Sequence, residues 1–421
     1  MGQFLKGAWP LLLGMLLLMV GNGMHGTLLG IRGEAAGFST FEMSMVMSAY
    51  FVGFLGGSRV TPELIRRVGH VRVFAAMASM ISAVLILYPT LEHPVAWIAG
   101  RALMGLCFSG VYVTAESWLN NAATNDTRGK ALSIYMMVQM IGIVTAQGMM
   151  TIPDATGFLL FVIPSVLVSI SFAPILLSVS PTPAFETTKP MSLKELFQNS
   201  PLGVVGMFML GGVFSAQFGM SAVFATRAGL SLSELSLFIA AFYVGATVFQ
   251  YPLGWMSDRV DRRVLIMFVA AIGAAGATLG FVAGDNYPLL LVAALFIGGF
   301  SNPLYSMLIA HANDFLEYED MAAASGGLVF VNGVGAIAGP LITGWMMDVV
   351  GPRGYFIYLI ILLAALGVYA GYRTTRRPAA PVDETGSYTA VMPTASVVAV
   401  EVAQEVAIES AMEEEQEAAA G

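Results

Sequence analysis

The chain has 421 residues, of which 57% are hydrophobic and only 11% are charged. Soluble domains carry about 25% charged residues, so this composition excludes an ordinary soluble protein and indicates one built within a lipid bilayer. The net charge of −8 comes from the segment after Arg377, which has nine acidic and no basic residues; the rest has 19 basic and 18 acidic residues. An acidic tail indicates nothing about the solute, and we expect no nucleic-acid partner.

Twelve apolar runs are long enough to cross a membrane, each with at least roughly 20 residues. The runs are too long for barrel strands and do not alternate apolar with polar residues, so they predict helices. The first run follows Lys6 without a clear cleavage site, which favours a membrane helix over a signal peptide. The runs lie near 8–30, 43–63, 71–91, 94–118, 131–151, 156–179, 202–225, 234–256, 263–283, 287–311, 323–347 and 353–373.

The basic residues between the runs predict the orientation of the chain. With the N-terminus in the cytoplasm, fifteen Lys and Arg residues lie on the inner side, and only Arg32, Arg227 and Arg353 lie outside. Short cytoplasmic loops carry the excess of Lys and Arg in membrane proteins. We therefore expect both termini in the cytoplasm of a multi-pass membrane protein.

The sequence repeats itself at an offset of 192 residues. Residues 36–53 read AGFSTFEMSMVMSAYFVG, residues 228–245 read AGLSLSELSLFIAAFYVG, and eight of the eighteen positions are identical. A parallel repeat in an apolar chain predicts two similar membrane bundles beside a central pathway.

The repeat predicts four regions, and the second and fourth lie outside the membrane. A cytoplasmic linker contains a short helix that Ser192 and Glu195 would cap. The last region is predicted to be a disordered acidic tail; the alternative is a short amphipathic helix, because glutamates recur every four residues from Glu401 to Glu417, although such like charges oppose an isolated helix. The regions are an N-terminal six-helix bundle at 1–180, the linker at 181–200, a C-terminal six-helix bundle at 201–373 and the tail at 374–421.

Two motifs carry a family resemblance. Residues 254–263 read GWMSDRVDRR, and Arg101 is followed by Gly105 at the R-x-x-x-G spacing. These motifs resemble the loop and span-four signatures of the major facilitator superfamily. The loop signature of that superfamily usually has a glycine where this chain has Asp261. The resemblance implies its fold of twelve transmembrane helices in two pseudo-symmetric bundles. Residues 67–72, 116–120, 128–135, 310–314 and 332–340 are similar to the YcaD-like branch of bacterial transporters in that superfamily. This similarity implies a bacterial cytoplasmic (inner) membrane.

The resemblance implies a gate on the cytoplasmic side. Asp258 is expected to engage the start of span eleven, since a carboxylate is favoured at a helix N-terminus. Arg66 stands at the equivalent first-half position, so that half must close differently or less tightly. Glu116 is expected to pair with Arg128 or Arg67. The predicted gating residues are Arg67, Glu116, Arg128, Gly254, Asp258, Arg259, Arg262 and Arg263.

Ionisable residues within spans are costly and mark functional sites. His25 and Arg101 both lie about 10 Å below the outer surface at about 1.5 Å per residue. We predict that they form a positive site for an anionic group, with His25 able to couple protons. The alternative is that Arg101 bonds helix carbonyls and His25 only packs. The uncharged candidates, each of which can equally be interhelical glue, are Asn22, Tyr112, Gln139, Gln217, Tyr243, Asn302, Tyr305 and Asn332.

The predicted function is secondary active transport of a small organic solute by alternating access, with proton coupling left open. The alternatives are a facilitative uniporter, an exporter of amphipathic compounds, and a non-transporting membrane sensor or scaffold. No nucleotide-binding loop, metal-ligand spacing or nucleophile motif is present in the sequence, so we expect no enzyme, cofactor or metal. The expected partners are the solute and the bilayer, and we expect a monomer.

Overall fold

A computed structural model describes residues 2–150, 158–177, 191–316, 318–376 and 388–420. Within these ranges the chain is helical and has no β-strand. The helices are α1 Gly2–Ala35, α2 Thr40–Val68, α3 His70–Leu87, α4 Pro94–Ala122, α5 Asn125–Met149, α6 Leu159–Ser171, α7 Ala173–Leu176, α8 Leu193–Asn199, α9 Pro201–Ser215, α10 Ser221–Arg227, α11 Leu232–Ser257, α12 Arg262–Ala283, α13 Tyr287–Asn313, α14 Tyr318–Val350, α15 Gly354–Thr374 and α16 Val397–Ala420. A π-helical turn, Ala216–Met220, joins α9 to α10.

Eleven helical segments in the described part of the chain are long and apolar enough to cross a membrane. Predicted span two coincides with α2, which is not among the eleven. Serines, glycines and Arg59 make this 29-residue helix less apolar. The count of twelve spans and the cytoplasmic termini therefore stay predictions, while the all-helical membrane architecture is confirmed.

The chain forms two compact units. Unit 1 comprises Met1–Thr187, Phe214–Ala240 and Ala336–Tyr358, and unit 2 comprises the remainder. Unit 1 includes two segments of the second half, and the division into two six-helix halves stays a prediction. The Ser48 hydroxyl donates to the Ile337 carbonyl at 2.6 Å, and Arg227 bonds Thr40.

A glycine-mediated helix contact recurs in both units. In unit 1, a Cβ on Gly53 would overlap the Ala102 carbonyl oxygen, and one on Gly105 would overlap that of Tyr50. The backbones of α2 and α4 therefore touch, as small residues allow between membrane helices.

Unit 2 repeats this contact between α11 and α13. Cβ atoms on Gly245 and Gly298 would overlap the carbonyl oxygens of Leu295 and Phe242. Gly53 and Gly245 keep the offset of 192, but the contacts of Gly298 match those of Gly105 at an offset of 193. The structural counterpart of the span-four arginine is thus Ala294 rather than the Ala293 given by a uniform offset.

Gly53→Ala is expected to destabilise the protein by about 1–3 kcal/mol, because the new methyl group forces two backbones apart. The thermal midpoint of the purified protein in detergent measures this effect. Gly56→Ala is the matched control on the same helix, since nothing lies within 4 Å of its added Cβ; alanine there should stabilise the helix slightly. Equal midpoints for the two variants would contradict close α2–α4 packing.

The linker and the tail lie partly outside the described residues, which exclude 178–190 and 377–387. The described part of the linker contains α8, and the Ser192 hydroxyl caps it by accepting from the Glu195 N–H. The tail differs from the expected disorder: residues 388–396 lead into α16, and Val391, Met392 and Val400 are buried. Contacts with the membrane helices of unit 2 supply the stabilisation that an isolated glutamate-rich helix lacks.

One acidic side chain of the tail helix is largely removed from water. Burial, and then the like charge of Glu405, raise the pKa of Glu401 to about 7. Near neutral pH the Glu401 carboxyl is therefore partly protonated in the packed helix. A neutral carboxyl lowers the free-energy cost of this burial.

Candidate functional site

Arg101 and His25 are in direct contact. The side chain of Arg101 on α4 is 6% exposed and that of His25 on α1 is fully buried. The Arg101 Nη1 lies 3.2 Å from the His25 Nδ1. A guanidinium can only donate, so Nδ1 accepts, and the imidazole in this geometry is neutral with its proton on Nε2.

Helices α2 and α3 complete the surroundings of Arg101. The guanidinium carbon lies 4.8 Å from the centroid of the Tyr50 ring, and its Nη2 lies 3.2 Å from the Met47 sulfur. The Tyr88 ring stacks on His25 with 5.1 Å between centroids. We call these five residues the arginine cluster.

Met47, Tyr50 and Tyr88 are not among the residues predicted from the sequence. Met47 and Tyr50 are three residues apart on α2, a spacing that puts them on one helix face. The Gly105 contact brings the Tyr50 backbone against α4 one turn after Arg101. The R-x-x-x-G spacing was the available signal, because its glycine indicates that another helix approaches closely.

The arginine cluster has more hydrogen-bond donors than acceptors. Arg101 Nε, His25 Nε2 and the Tyr88 hydroxyl are buried atoms without a hydrogen-bond partner among the described residues. Within the same ranges Arg101 forms no ion pair with a carboxylate. A buried cation is costly unless it is paired, so this surplus suits a ligand that brings negative charge and acceptor atoms.

Four uncharged candidates lie in unit 1. Tyr112 is buried, with its hydroxyl 3.5 Å from the Met19 sulfur, and Gln139 is buried on α5. Asn22 is half-buried one helical turn before His25. Gln217 is buried in the π-helical turn, a distortion common at functional sites.

The four candidates in unit 2 include two amides that bond backbone carbonyls. Asn302 donates to the Gly298 carbonyl at 3.0 Å within α13, and Asn332 on α14 donates to the Met207 carbonyl on α9 at 3.0 Å. The first bond stabilises α13, and the second holds α14 against α9. Tyr305 is buried and Tyr243 is half-buried.

The first-half gating candidates lie near the ends of α2 and α4 and the start of α5. Glu116 is 3% exposed and accepts from the Tyr135 hydroxyl at 3.3 Å. Arg67, one of its two expected partners, instead pairs with Glu63 at 2.6 Å, because residues four apart on a helix are neighbours. Arg128 is half-buried near the start of α5.

The second-half gating loop forms a network of charged side chains. Arg262 is 2% exposed and pairs with the buried Asp314 and with Asp258, the latter at 3.3 Å. The exposed Arg259 lies over the Trp255 ring at 4.2 Å.

The departure from the superfamily motif has a local role. Asp261 caps α12 by accepting from the Arg263 N–H at 2.9 Å and pairs with the Arg263 guanidinium at 2.8 Å. Burial acts to raise the pKa of the Asp261 carboxyl, but the hydrogen bonds and charge of Arg263 outweigh it, so this pKa lies below its ordinary value. An aspartate at this position therefore stabilises the start of α12.

Asp258 does not contact the start of α14 among the described residues, contrary to expectation. Its Oδ1 accepts from the Tyr388 backbone N–H of the tail at 2.7 Å. Gly254, one turn earlier, lies against the Tyr388 ring, which is 2.6 Å from where a Cβ would stand. Tyr388 of the tail thus contacts Asp258 and Gly254, two residues that the resemblance assigns to the cytoplasmic gate.

The sequence model of the Major Facilitator Superfamily matches residues 11–237 and 203–403. The chain belongs to this superfamily. It is similar to proteins described as the uncharacterized MFS-type transporter YcaD: that of Salmonella heidelberg is 24% identical over 379 residues, covering 87% of this chain and 98% of the relative, and that of Salmonella arizonae is 25% identical over the same length. The predicted superfamily and YcaD-like branch are confirmed.

Solved transporters share the fold. A variant of the nucleoside transporter NupG superposes with a TM-score of 0.70 at 14% identity, covering 87% of this chain and 98% of NupG. A variant of the Escherichia coli fucose:proton symporter FucP superposes with a TM-score of 0.56 at 13% identity, covering 88% and 99%. The chain is a multi-pass membrane protein of a transporter family.

Proposed function

We propose that this protein is a secondary active transporter of small organic solutes that carry a carboxylate, phosphate or similar anionic group. The arginine cluster carries this proposal. It holds a buried guanidinium beside an imidazole nitrogen rather than a carboxylate, together with buried donors on three side chains. Bidentate guanidinium contacts suit planar or tetrahedral oxyanions.

The proposed mechanism is alternating access, in which the bundles at 1–180 and 201–373 rock about the solute. Arg101 binds the anionic group, and uncharged candidates of unit 1, such as Tyr112 and Gln139, contact the rest of the solute. The proposed setting is a bacterial cytoplasmic membrane, with both termini inside and twelve spans. NupG and FucP carry organic solutes by their names, which supports a similar solute size.

His25 is the proposed coupling residue. While Arg101 donates to its Nδ1, that nitrogen is not available to a proton. An anion that draws the guanidinium away frees Nδ1 and adds negative charge nearby, and both changes favour protonation of the imidazole. The solute and one proton would then cross together. A uniporter remains the outcome if binding takes up no proton.

Ligand-induced thermal stabilisation tests the solute class. The purified protein is heated with a panel of mono- and dicarboxylates, sugar phosphates and matched neutral sugars and nucleosides. A solute at 100 times its Kd stabilises the protein by about 2.7 kcal/mol. We expect the stabilising compounds to be anions. Stabilisation by neutral or amphipathic compounds alone would contradict the proposal and favour the amphipathic-compound exporter.

A pH indicator in weakly buffered detergent solution reports proton uptake when a stabilising anion is added. Uptake in the wild type and none in His25→Gln would support coupling through His25. Flux of the same anion into proteoliposomes then separates a transporter from a sensor, since a sensor binds the anion without moving it.

A further inference from the structure

We propose that residues 388–404 form an intramolecular gate that docks on the inner ends of α11, α13 and α14 and holds the outer side of the transporter closed until it leaves. This inference rests on the proposed alternating access.

The first contact of the docked segment is with the gating loop. Besides its backbone N–H on Asp258, Tyr388 accepts at its hydroxyl from the Gln250 amide at 2.7 Å. Its ring lies on Gly254, where a side chain would leave no room. Three residues at successive turns of one helical surface, Gln250, Gly254 and Asp258, thus hold one tyrosine.

The second contact is beside the candidate pathway residues of α13. The Val391 N–H donates to the Ser306 hydroxyl at 2.8 Å, and that hydroxyl lies 3.2 Å from the Val391 carbonyl oxygen. Ser306 follows Tyr305 directly. The segment therefore docks on α13 at the depth of a residue predicted to contact the solute.

The third contact joins α16 to two membrane helices. The Gln404 amide donates to the Asn313 side chain at 2.9 Å, and its oxygen accepts from the Ser325 hydroxyl at 2.5 Å. Ser325 is fully buried and Gln404 is 2% exposed. Polar pairs as buried as these require the helix to stay in register. The other buried residues of the segment are Val391, Met392, Ala395, Ser396, Ala399, Val400, Val402 and Ala403.

These contacts compete with closure of the inner side. The Tyr388 ring fills the space over Gly254, and its backbone N–H lies on Asp258, so another helix cannot reach this surface while the segment is docked. In unit 1 the Ser48 hydroxyl bonds the Ile337 carbonyl, a contact that belongs to the outward ends of these helices in the predicted topology. In the proposed gate, the segment undocks before the inner side closes and the Ser48 contact opens.

The test uses maleimide labelling of single reporter cysteines in a Cys107→Ala background, which removes the lone native cysteine. Ser306→Cys, in inside-out vesicles, reports whether the segment is docked. Ser48→Cys, in right-side-out vesicles with a membrane-impermeant maleimide, reports outer opening. Each reporter is placed in the full chain, in a chain ending at Arg376, and in a chain ending at Ile408. The last is the matched control, since it loses 13 residues beyond the last docking contact but keeps the segment.

We expect both reporters to be labelled at least about tenfold faster in the chain ending at Arg376, because loss of the docking contacts shifts a two-state equilibrium. The chain ending at Ile408 should behave as the full chain. Tyr388→Ala in the full chain should change both rates in the same direction, which guards against misfolding of the truncated protein.

Two results would overturn the gate. Equal labelling of Ser306→Cys in all chains would show that the segment does not dock. Protection of Ser306→Cys with unchanged labelling of Ser48→Cys would show that docking leaves outer opening unaffected. Neither reporter needs a solute. Labelling of Ser48→Cys at the same measurable rate in every chain would contradict the gate but not the proposed transport. If Ser48→Cys were not labelled in any chain, alternating access would be contradicted as well.

Discussion

Arg101→Gln is expected to weaken the binding of every anion that stabilises the wild type by at least about 30-fold. Truncating one partner of a buried, hydrogen-bonded charge pair costs about 2–5 kcal/mol, and each 1.4 kcal/mol is about a tenfold change in Kd. Glutamine keeps a hydrogen-bond donor near His25 but removes the charge and the forked geometry. The shift of the thermal midpoint with anion concentration measures the change in Kd.

Two variants distinguish anion binding at Arg101 from a general effect of positive charge on the protein. Arg32→Gln removes an arginine whose contact with Glu92 is partly exposed, and it should bind the anions as the wild type does. Arg101→Lys keeps the charge but cannot supply two parallel N–H groups, so its affinity should fall between those of the wild type and Arg101→Gln. Unchanged anion binding in Arg101→Gln would move the site to the uncharged candidates.

The contact between His25 and Arg101 could be predicted from the sequence, because depth along a helix follows from residue count alone. Residue counting places both residues about 10 Å from the outer surface. The rotation of each helix was not available from the sequence. Tyr50 and Tyr88 belong to the site through lateral packing, which depends on where α2 and α3 press against α4.

The partner of the second-half gating loop could not be predicted from local sequence patterns. The loop motif was found at Asp258, and the structure supplies an unexpected partner, Tyr388, which is 130 residues away in the sequence. The tail looks disordered by composition because its glutamates outweigh its apolar residues. Its buried residues gain their stabilisation only from membrane helices that are distant in the sequence.

The tail also affects how the gating loop can be tested. Removing Asp258 would disturb the loop and the docked segment together, since one carboxylate oxygen accepts from Arg262 and from Tyr388. Arg262 with Asp314 is the cleaner probe of the loop itself, because both side chains are almost fully buried.

Arg262→Ala is expected to destabilise the protein by about 3–5 kcal/mol, because it removes the guanidinium that pairs with the buried Asp314 carboxylate. Thermal midpoints in detergent measure the loss. Arg66→Ala is the matched control at the inner end of α2, where the pair with Glu63 is exposed at 72% and 39%, and such pairs contribute about 0–1 kcal/mol.

The double variant Arg262→Met, Asp314→Leu decides what the pair does. Replacing a whole buried ion pair by apolar residues is often neutral or stabilising, so the double variant should regain much of the stability that Arg262→Ala loses. If it is stable but labels Ser306→Cys as fast as the chain ending at Arg376 does, the pair serves to hold the gating loop in the shape that the tail recognises. If it is no more stable than Arg262→Ala, the charge on Asp314 is not the source of the loss, and the Arg262 contacts with Ser257 and Asp258 carry the stability of this loop.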